Sequence, residues 1–333
     1  MATRFEIVLH GTDPVSLRAA AEEALYEIQR LEAQLNLYSE TSEISGINAR
    51  AAQTPIKVEP GLFHLLKWAR ALSLETAGAF DITVAPLMKC WGFMKNTGHV
   101  PHPADLAAAQ ALVGMNNLIL NEQEFTIRFE RPGVMVDLGA IGKGYAIELA
   151  AEVLREGGVT SALLHGGTST IYAIGTPPGE DAWKVAIAFP DDDHADAPKH
   201  SLAQSPSPNQ GAILWEIPQN PNARNILSVV PLRDEALSVS AVWGKAFQSG
   251  EKMLGHVIDP RTGEPATRAM LAAVVLPSAT ETDAFSTALL IGGREAQGSL
   301  NQSRPGMRSV VAGNEPCSGQ RWTSCWGFTE SLR

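Results

Sequence analysis

The stretch that most constrains the fold is Val134-Met135-Val136-Asp137-Leu138-Gly139-Ala140-Ile141-Gly142-Lys143-Gly144-Tyr145. An apolar run stops at an acid, three glycines and one lysine follow, and Ala146 to Glu156 reads as a helix. The pattern predicts a strand over 134–137, a short loop, and a helix over 145–156. Glycines let backbone N–H groups approach a ligand closely, and a helix N-terminus favours negative charge. With Lys143 as an added point charge, the stretch offers a place for a phosphate or pyrophosphate. It is not the dinucleotide fingerprint, because the glycines fall at 139, 142 and 144 rather than in G-x-G-x-x-G. It is not a P-loop, because no Ser or Thr follows Lys143. An ordinary strand–loop–helix connection with glycines in its turns reads the same way.

The chain has 333 residues and a net charge of −10. That length allows a large core or about two domains. The charge argues against a nucleic-acid or anionic-membrane partner. An anionic ligand would need a local positive element or a metal. The three cysteines, Cys90, Cys317 and Cys325, suggest no disulfide framework. No C-x-x-C or His/Cys cluster suggests zinc. The N-terminus alternates like a strand over 4–10, with Phe5, Ile7 and Leu9 on one face, and shows no signal-peptide pattern. No apolar run approaches the roughly 20 residues of a membrane span. A cytoplasmic chain without a membrane span is expected.

Helical spacing marks 15–35, 62–76, 105–113 and 280–291 besides 145–156. Strands are expected at 118–120, 125–129, 160–164, 170–174, 183–189, 226–232, 236–240 and 270–276, with a short one near 307–311. Helices and strands mix without βαβ alternation, which favours an α+β fold. The segment 190–212, with Asp191-Asp192-Asp193 and several prolines, reads as a mobile surface excursion.

Three further groups of residues can carry chemistry. Asp283 and Thr287 lie four apart on one helical face, so a carboxylate and a hydroxyl can reach one hard cation such as Mg²⁺. Thr280-x-x-Asp283 is equally a capping box. His256 precedes the turn Asp259-Pro260-Arg261-Thr262-Gly263 and can serve as a general base or as a structural group. Tyr38 offers an aromatic face to a planar ligand, while the Ser and Glu residues after it read as a cap or loop.

These motifs, taken in order, resemble one family, the FAD:protein FMN transferases, also called the ApbE family. The resemblance covers residues 1–293. It rests on Met1-x-Thr3, Tyr38 with Ser42-Glu43-Ile44-Ser45 and Asn48, and Phe80-Asp81-Ile82-Thr83-Val84-x-Pro86-Leu87 with Trp91-Gly92-Phe93. It continues through Val136-Asp137-Leu138-Gly139-x-Ile141-x-Lys143-Gly144, Gly166-Gly167, His256-x-Ile258-Asp259-Pro260-Arg261-Thr262-Gly263 and Asp283-Ala284-x-Ser286-Thr287-Ala288.

The resemblance implies a bilobal α+β fold of the T-fold-like type, with mixed, mainly antiparallel sheets and packed helices. It implies FAD as substrate, Mg²⁺ as cofactor, and an acceptor flavoprotein whose Thr or Ser takes the FMN while AMP leaves. Some relatives hydrolyse FAD instead, and many are periplasmic lipoproteins. By position, Asp283, Thr287 and the carbonyl of Ala140 would hold the metal, and His256 would stand near the reacting phosphate, making His256 and Asp283 the catalytic pair. The loop with Gly139, Lys143 and Gly144 would lie on the pyrophosphate. Met1 and Tyr38 would line the ring pocket, and Asp81, Gly166, Gly167 and Ile258 would add to the cofactor site. On this basis Asp283→Ala should remove turnover and largely spare folding. Two stretches depart from the family pattern. The usual Asn-x-Gly-Gly-Asp is His165-Gly166-Gly167-Thr168-Ser169, and the usual Thr-Ser-Gly-Asp-Tyr is Val239-Ser240-Ala241-Val242-Trp243. Residues 294–333 match poorly and read as a tail with a short strand.

Overall fold

The computed structural model describes residues 3–188, 213–214, 226–250, 252–315 and 319–328. Met1 and the segment 190–212 lie outside the described residues. The first half runs β1 (Phe5–Leu9), α1 (Pro14–Leu35), α2 (Glu43–Arg50), β2 (Ile56–Lys57), α3 (Pro60–Glu75), α4 (Ala85–Cys90), α5 (Pro103–Gln110), β3 (Leu118–Asn121), β4 (Thr126–Phe129) and α6 (Gly142–Glu156). The second half runs β5 (Ala162–Gly166), β6 (Thr170–Ile174), β7 (Trp183–Ala188), β8 (Ile213–Leu214), β9 (Ile226–Leu232) and β10 (Ala236–Ala241). It continues with β11 (Ala246–Ser249), β12 (Lys252–Gly255), β13 (Leu271–Leu276), α7 (Ala279–Ser303), β14 (Arg308–Asn314) and β15 (Arg321–Trp326). The class is α+β, as expected.

The centre is a seven-stranded sheet of order β1-β5-β6-β10-β13-β14-β15 in which every neighbouring pair is antiparallel. Its inner strands are buried on both faces, so β13 is apolar at every position, Leu271 to Leu276, rather than alternating. Leu237, Ala273 and Val275 point to one face and pack on Val185, Ile187 and Val230 of the three-stranded sheet β8-β7-β9. Ala272, Val274 and Leu276 point the other way, into a core with Phe285 and Leu289 of α7 and Leu66 of α3. Leu164 and Tyr172 join Ala24 and Ile28 of α1 and Ile147 and Leu154 of α6. Each large side chain buried this way contributes roughly 1.5–3 kcal/mol.

Local chemistry explains most of the boundaries. Asp13 caps α1 by accepting from Val15 N–H (3.0 Å), and Pro14 occupies the first turn, where its missing N–H costs nothing. Ser42 caps α2 by accepting from Ser45 N–H (3.0 Å), so the Ser/Glu-rich segment after Tyr38 opens a helix rather than a loop.

Three expectations are corrected. Residues 134–137 form no strand and join no sheet. Val136 N–H donates to Asn48 Oδ1 (2.8 Å), Asn48 Nδ2 donates to the Val136 carbonyl (3.0 Å), and Asp137 N–H donates to the Ile82 carbonyl (2.7 Å). One side chain and one loop carbonyl thus replace a neighbouring strand. Helix α6 begins at Gly142 rather than 145, so Gly142, Lys143 and Gly144 form its first turn. The region after 293 is no tail. Helix α7 bends at Gly293 (φ 67°), continues to Ser303, and returns through β14 and β15 as the edge of the central sheet.

The tightest glycine position among the described residues is Gly144. A Cβ there would lie 2.0 Å from the carbonyl oxygen of Ala279, the first residue of α7. Backbone cannot yield as a flexible side chain can. Gly144→Ala should therefore cost at least ~3 kcal/mol, at the top of the overpacking range. Thermal unfolding should show a fall in Tm of roughly 5 °C or more, and an unchanged Tm would contradict the crossing.

Candidate active site

Where α6 meets α7, Asp283 is buried, only 3% exposed. It accepts hydrogen bonds from three separate elements: Gly144 N–H of α6 (2.7 Å), Thr170 Oγ1 of β6 (2.7 Å) and Ser238 Oγ of β10. The cap of α7 is Ser278, which accepts from Glu281 N–H (3.2 Å). Thr280 gives both its N–H and its hydroxyl to Glu148 of α6 (2.8 and 2.5 Å). Asp283 therefore does not act as the partner in a capping box. It is a buried carboxylate made tolerable by donors on three sides.

The donors around it are oxygen-rich. Thr287, one turn on, lies 3.2 Å from Ser240 Oγ, which is 2.9 Å from Ser286 Oγ. An ionised carboxylate has about four acceptor sites, so three internal bonds leave room for one more partner. Ala140 lies two residues before α6, whose third residue, Gly144, gives its amide to Asp283. Ala140, Asp283 and Thr287 together are one anion and neutral oxygens, a set that fits a small hard cation whose other positions go to water or phosphate. Among the described residues no group of three or more His, Cys, Asp and Glu side chains is placed to hold a metal.

A second group stands around the same first turn of α6. Asp137 accepts from Gly139 N–H (2.8 Å); burial pushes its carboxyl up, against the pull of that bond and of Lys245 and Lys143. The Lys245 carbonyl accepts from His256 N–H (2.9 Å) and lies 3.1 Å from His256 Nδ1. Burial, reinforced by the charges of Lys245 and Lys143, pushes the imidazole down to about 4. At neutral pH the ring is uncharged. Nδ1–H donation to Lys245, the tautomer this contact favours, leaves a lone pair on Nε2. Tyr38 is 59% exposed, with Lys245 Nζ 5.4 Å from its ring centroid. Burial of part of the ring and the Asp137 charge push its phenol up.

The sequence model of the ApbE family matches residues 1–311. The chain belongs to the ApbE family. It is 25% identical over 301 residues to a Klebsiella pneumoniae (strain 342) protein named FAD:protein FMN transferase, a match spanning 89% of this chain and 77% of that one. A Haemophilus influenzae protein of the same name is 28% identical over 293 residues, covering 85% of this chain and 76% of that one. A solved structure named Flavin Transferase ApbE from Vibrio cholerae has a TM-score of 0.75 at 23% identity, covering 98% of this chain and 94% of that one. At that identity the likeness speaks for the fold.

Within the ApbE frame, the expected residues divide. Gly144 and Asp283 meet where α6 crosses α7, Lys143 precedes Gly144 in the same turn, and Thr287 lies one turn beyond Asp283 on α7; the charge of Asp137 reaches Tyr38 and that of Lys143 reaches His256. Asp81 is elsewhere engaged. It caps the turn Ile82–Val84, accepting from Thr83 N–H and Oγ1 (2.7 and 2.6 Å). Ile258 is core, packed with Leu87, Trp91 and Phe93. Gly166 and Gly167 are small because the N-terminal strand presses on them: a Cβ on Gly167 (φ 62°) would lie 2.4 Å from Thr3 Oγ1. His165 shares its strand face with Leu163, which packs on the three-stranded sheet, and pairs with Glu6 (3.1 Å). His165 thus points away from Asp283, while the Ser169 carbonyl at the other end of that departure from the family pattern lies 3.2 Å from Ser238 Oγ, one of the Asp283 donors. Thr170, Ser238, Asp137 and Lys245 were given no role from sequence. Ser238 and Ser240 carried a readable signal, as two hydroxyls in an otherwise apolar strand; Lys245 carried none.

Asp283 joins three elements, so its loss cannot spare the fold. Asp283→Ala strands three donors and should lower unfolding stability by about 3 kcal/mol. Denaturant unfolding checks this, and a loss below about 1 kcal/mol would contradict the role.

Proposed function

We propose that this chain is a Mg²⁺-dependent FAD:protein FMN transferase. The observation that carries this reading is the junction of Gly144 and Asp283 beside Lys143: a helix N-terminus, a lysine and an oxygen-rich acidic site meet at one point. Its family and the names of its relatives agree with it.

The positive end of the α6 dipole and the Lys143 ammonium suit the FAD pyrophosphate, whose charge a helix N-terminus favours. Ala140, Asp283 and Thr287 would hold the Mg²⁺, which supplies charge neutralisation on the phosphates. Tyr38 offers a stacking face to a ring of the substrate. His256, uncharged and with Nε2 open, takes the proton of an acceptor Thr or Ser hydroxyl. The hydroxyl oxygen bonds the FMN phosphorus, the pyrophosphate P–O bond breaks, and AMP leaves with the bond's electron pair.

Mass spectrometry of candidate acceptor flavoproteins after incubation with FAD and Mg²⁺ should show addition of one FMN and release of AMP. Free FMN and AMP without any acceptor would indicate hydrolysis of FAD instead, and FAD left intact would refute both. The pH profile adds a second check. His256 is depressed, so its base form is lost only as pH falls through about 4. Accordingly kcat/KM should hold from about pH 7 to about pH 5, where an unperturbed histidine, with its pKa near 6.5, would already have cost more than tenfold. An acid limb near 6.5 would remove His256 as the base.

A further inference from the structure

Lys245 sits between β10 and β11, exposed, with its ammonium over the Tyr38 ring. Its charge acts on both Asp137 and His256, at each more strongly than that of Lys143. The charges of both lysines thus reach Asp137 and His256 from different elements, Lys143 from the first turn of α6 and Lys245 from the strand connection, where its ammonium lies 5.4 Å from the Tyr38 ring centroid. Among the described residues neither forms an ion pair, whereas Arg155, Arg261, Arg304 and Arg308 each do. In a chain of net charge −10, two cations around the one carboxylate of Asp137, neither held in an ion pair among the described residues, make a local positive field. The backbone of Lys245 has a separate task, because its carbonyl fixes His256 whatever the side chain.

We infer that Lys245 is a second cationic anchor for the substrate's pyrophosphate, gripping it opposite Lys143, and that its departure from the Tyr38 ring opens that face to the substrate's planar ring. The inference rests on the FAD reading above and adds to it a contact that no family motif in this chain contains. A lysine on a flexible four-carbon stem can move between an aromatic face and a phosphate.

The test is equilibrium binding of FAD, ADP and riboflavin to the wild-type chain, Lys245→Ala and Lys245→Arg. ADP carries the pyrophosphate without flavin, and riboflavin the flavin without phosphate. Lys245→Ala should weaken FAD and ADP about tenfold, the effect of one charge-assisted contact at an exposed site. Riboflavin should bind as well or better, because Tyr38 is uncovered. Lys245→Arg should stay within about threefold of wild type. ADP affinity in Lys245→Ala within about twofold of wild type overturns the anchor, as does a parallel loss of riboflavin binding. A wild-type chain that binds FAD through Lys245 but transfers no FMN refutes the transferase reading and leaves the anchor standing.

Discussion

One hydrogen bond organises this molecule: the amide of Gly144 donating to the buried carboxylate of Asp283. It can form only because Gly144 has no side chain, which lets α6 lie against the first residue of α7. The same carboxylate takes hydroxyls from β6 and β10, so two helices and the central sheet are indexed to one group. The first turn of α6, which carries Lys143, is thereby fixed against the start of α7. Preorganisation of this kind lets donors act without rearranging when charge arrives.

The electrostatics follow from that placement. The chain is acidic overall, yet its site gathers Lys143 and Lys245 around a histidine that stays uncharged. Burial is the larger cause of that neutrality, and the two lysines reinforce it. On the proposed reading, an anion bound beside the lysines would offset their effect on the imidazole, so substrate binding and proton acceptance would be coupled through the same charges.

Sequence reasoning reached what local chemistry encodes. Helix α1 was legible because Asp13, Pro14 and a clean apolar stripe mark it, and the pairing of Asp283 with Thr287 was legible from helical spacing. It failed where the partner is remote. The segment 134–137 looks like a strand, but Asn48, 88 residues away, satisfies its backbone. The pair Gly292-Gly293 reads as the end of a helix, while in three dimensions it is a bend that lets the chain return as β14 and β15. In the site, Asp283 looked like a cap because no local signal announces Thr170 and Ser238 as its donors. Lys245 was invisible because only the fold brings it to Tyr38 and His256.

On the proposed reading, Asp283 serves the fold and the metal at once, through different properties of one side chain. Asp283→Asn separates them, because the amide oxygen can still accept from Gly144 while the charge is gone. The decisive measurement is the melting temperature of this variant with and without Mg²⁺ and FAD. Asp283→Asn should melt close to wild type without ligand and show no Mg²⁺-dependent rise, where the wild-type chain should gain about 2.7 kcal/mol at a hundredfold excess over Kd. A Mg²⁺-dependent rise in Asp283→Asn equal to that of the wild type would contradict it.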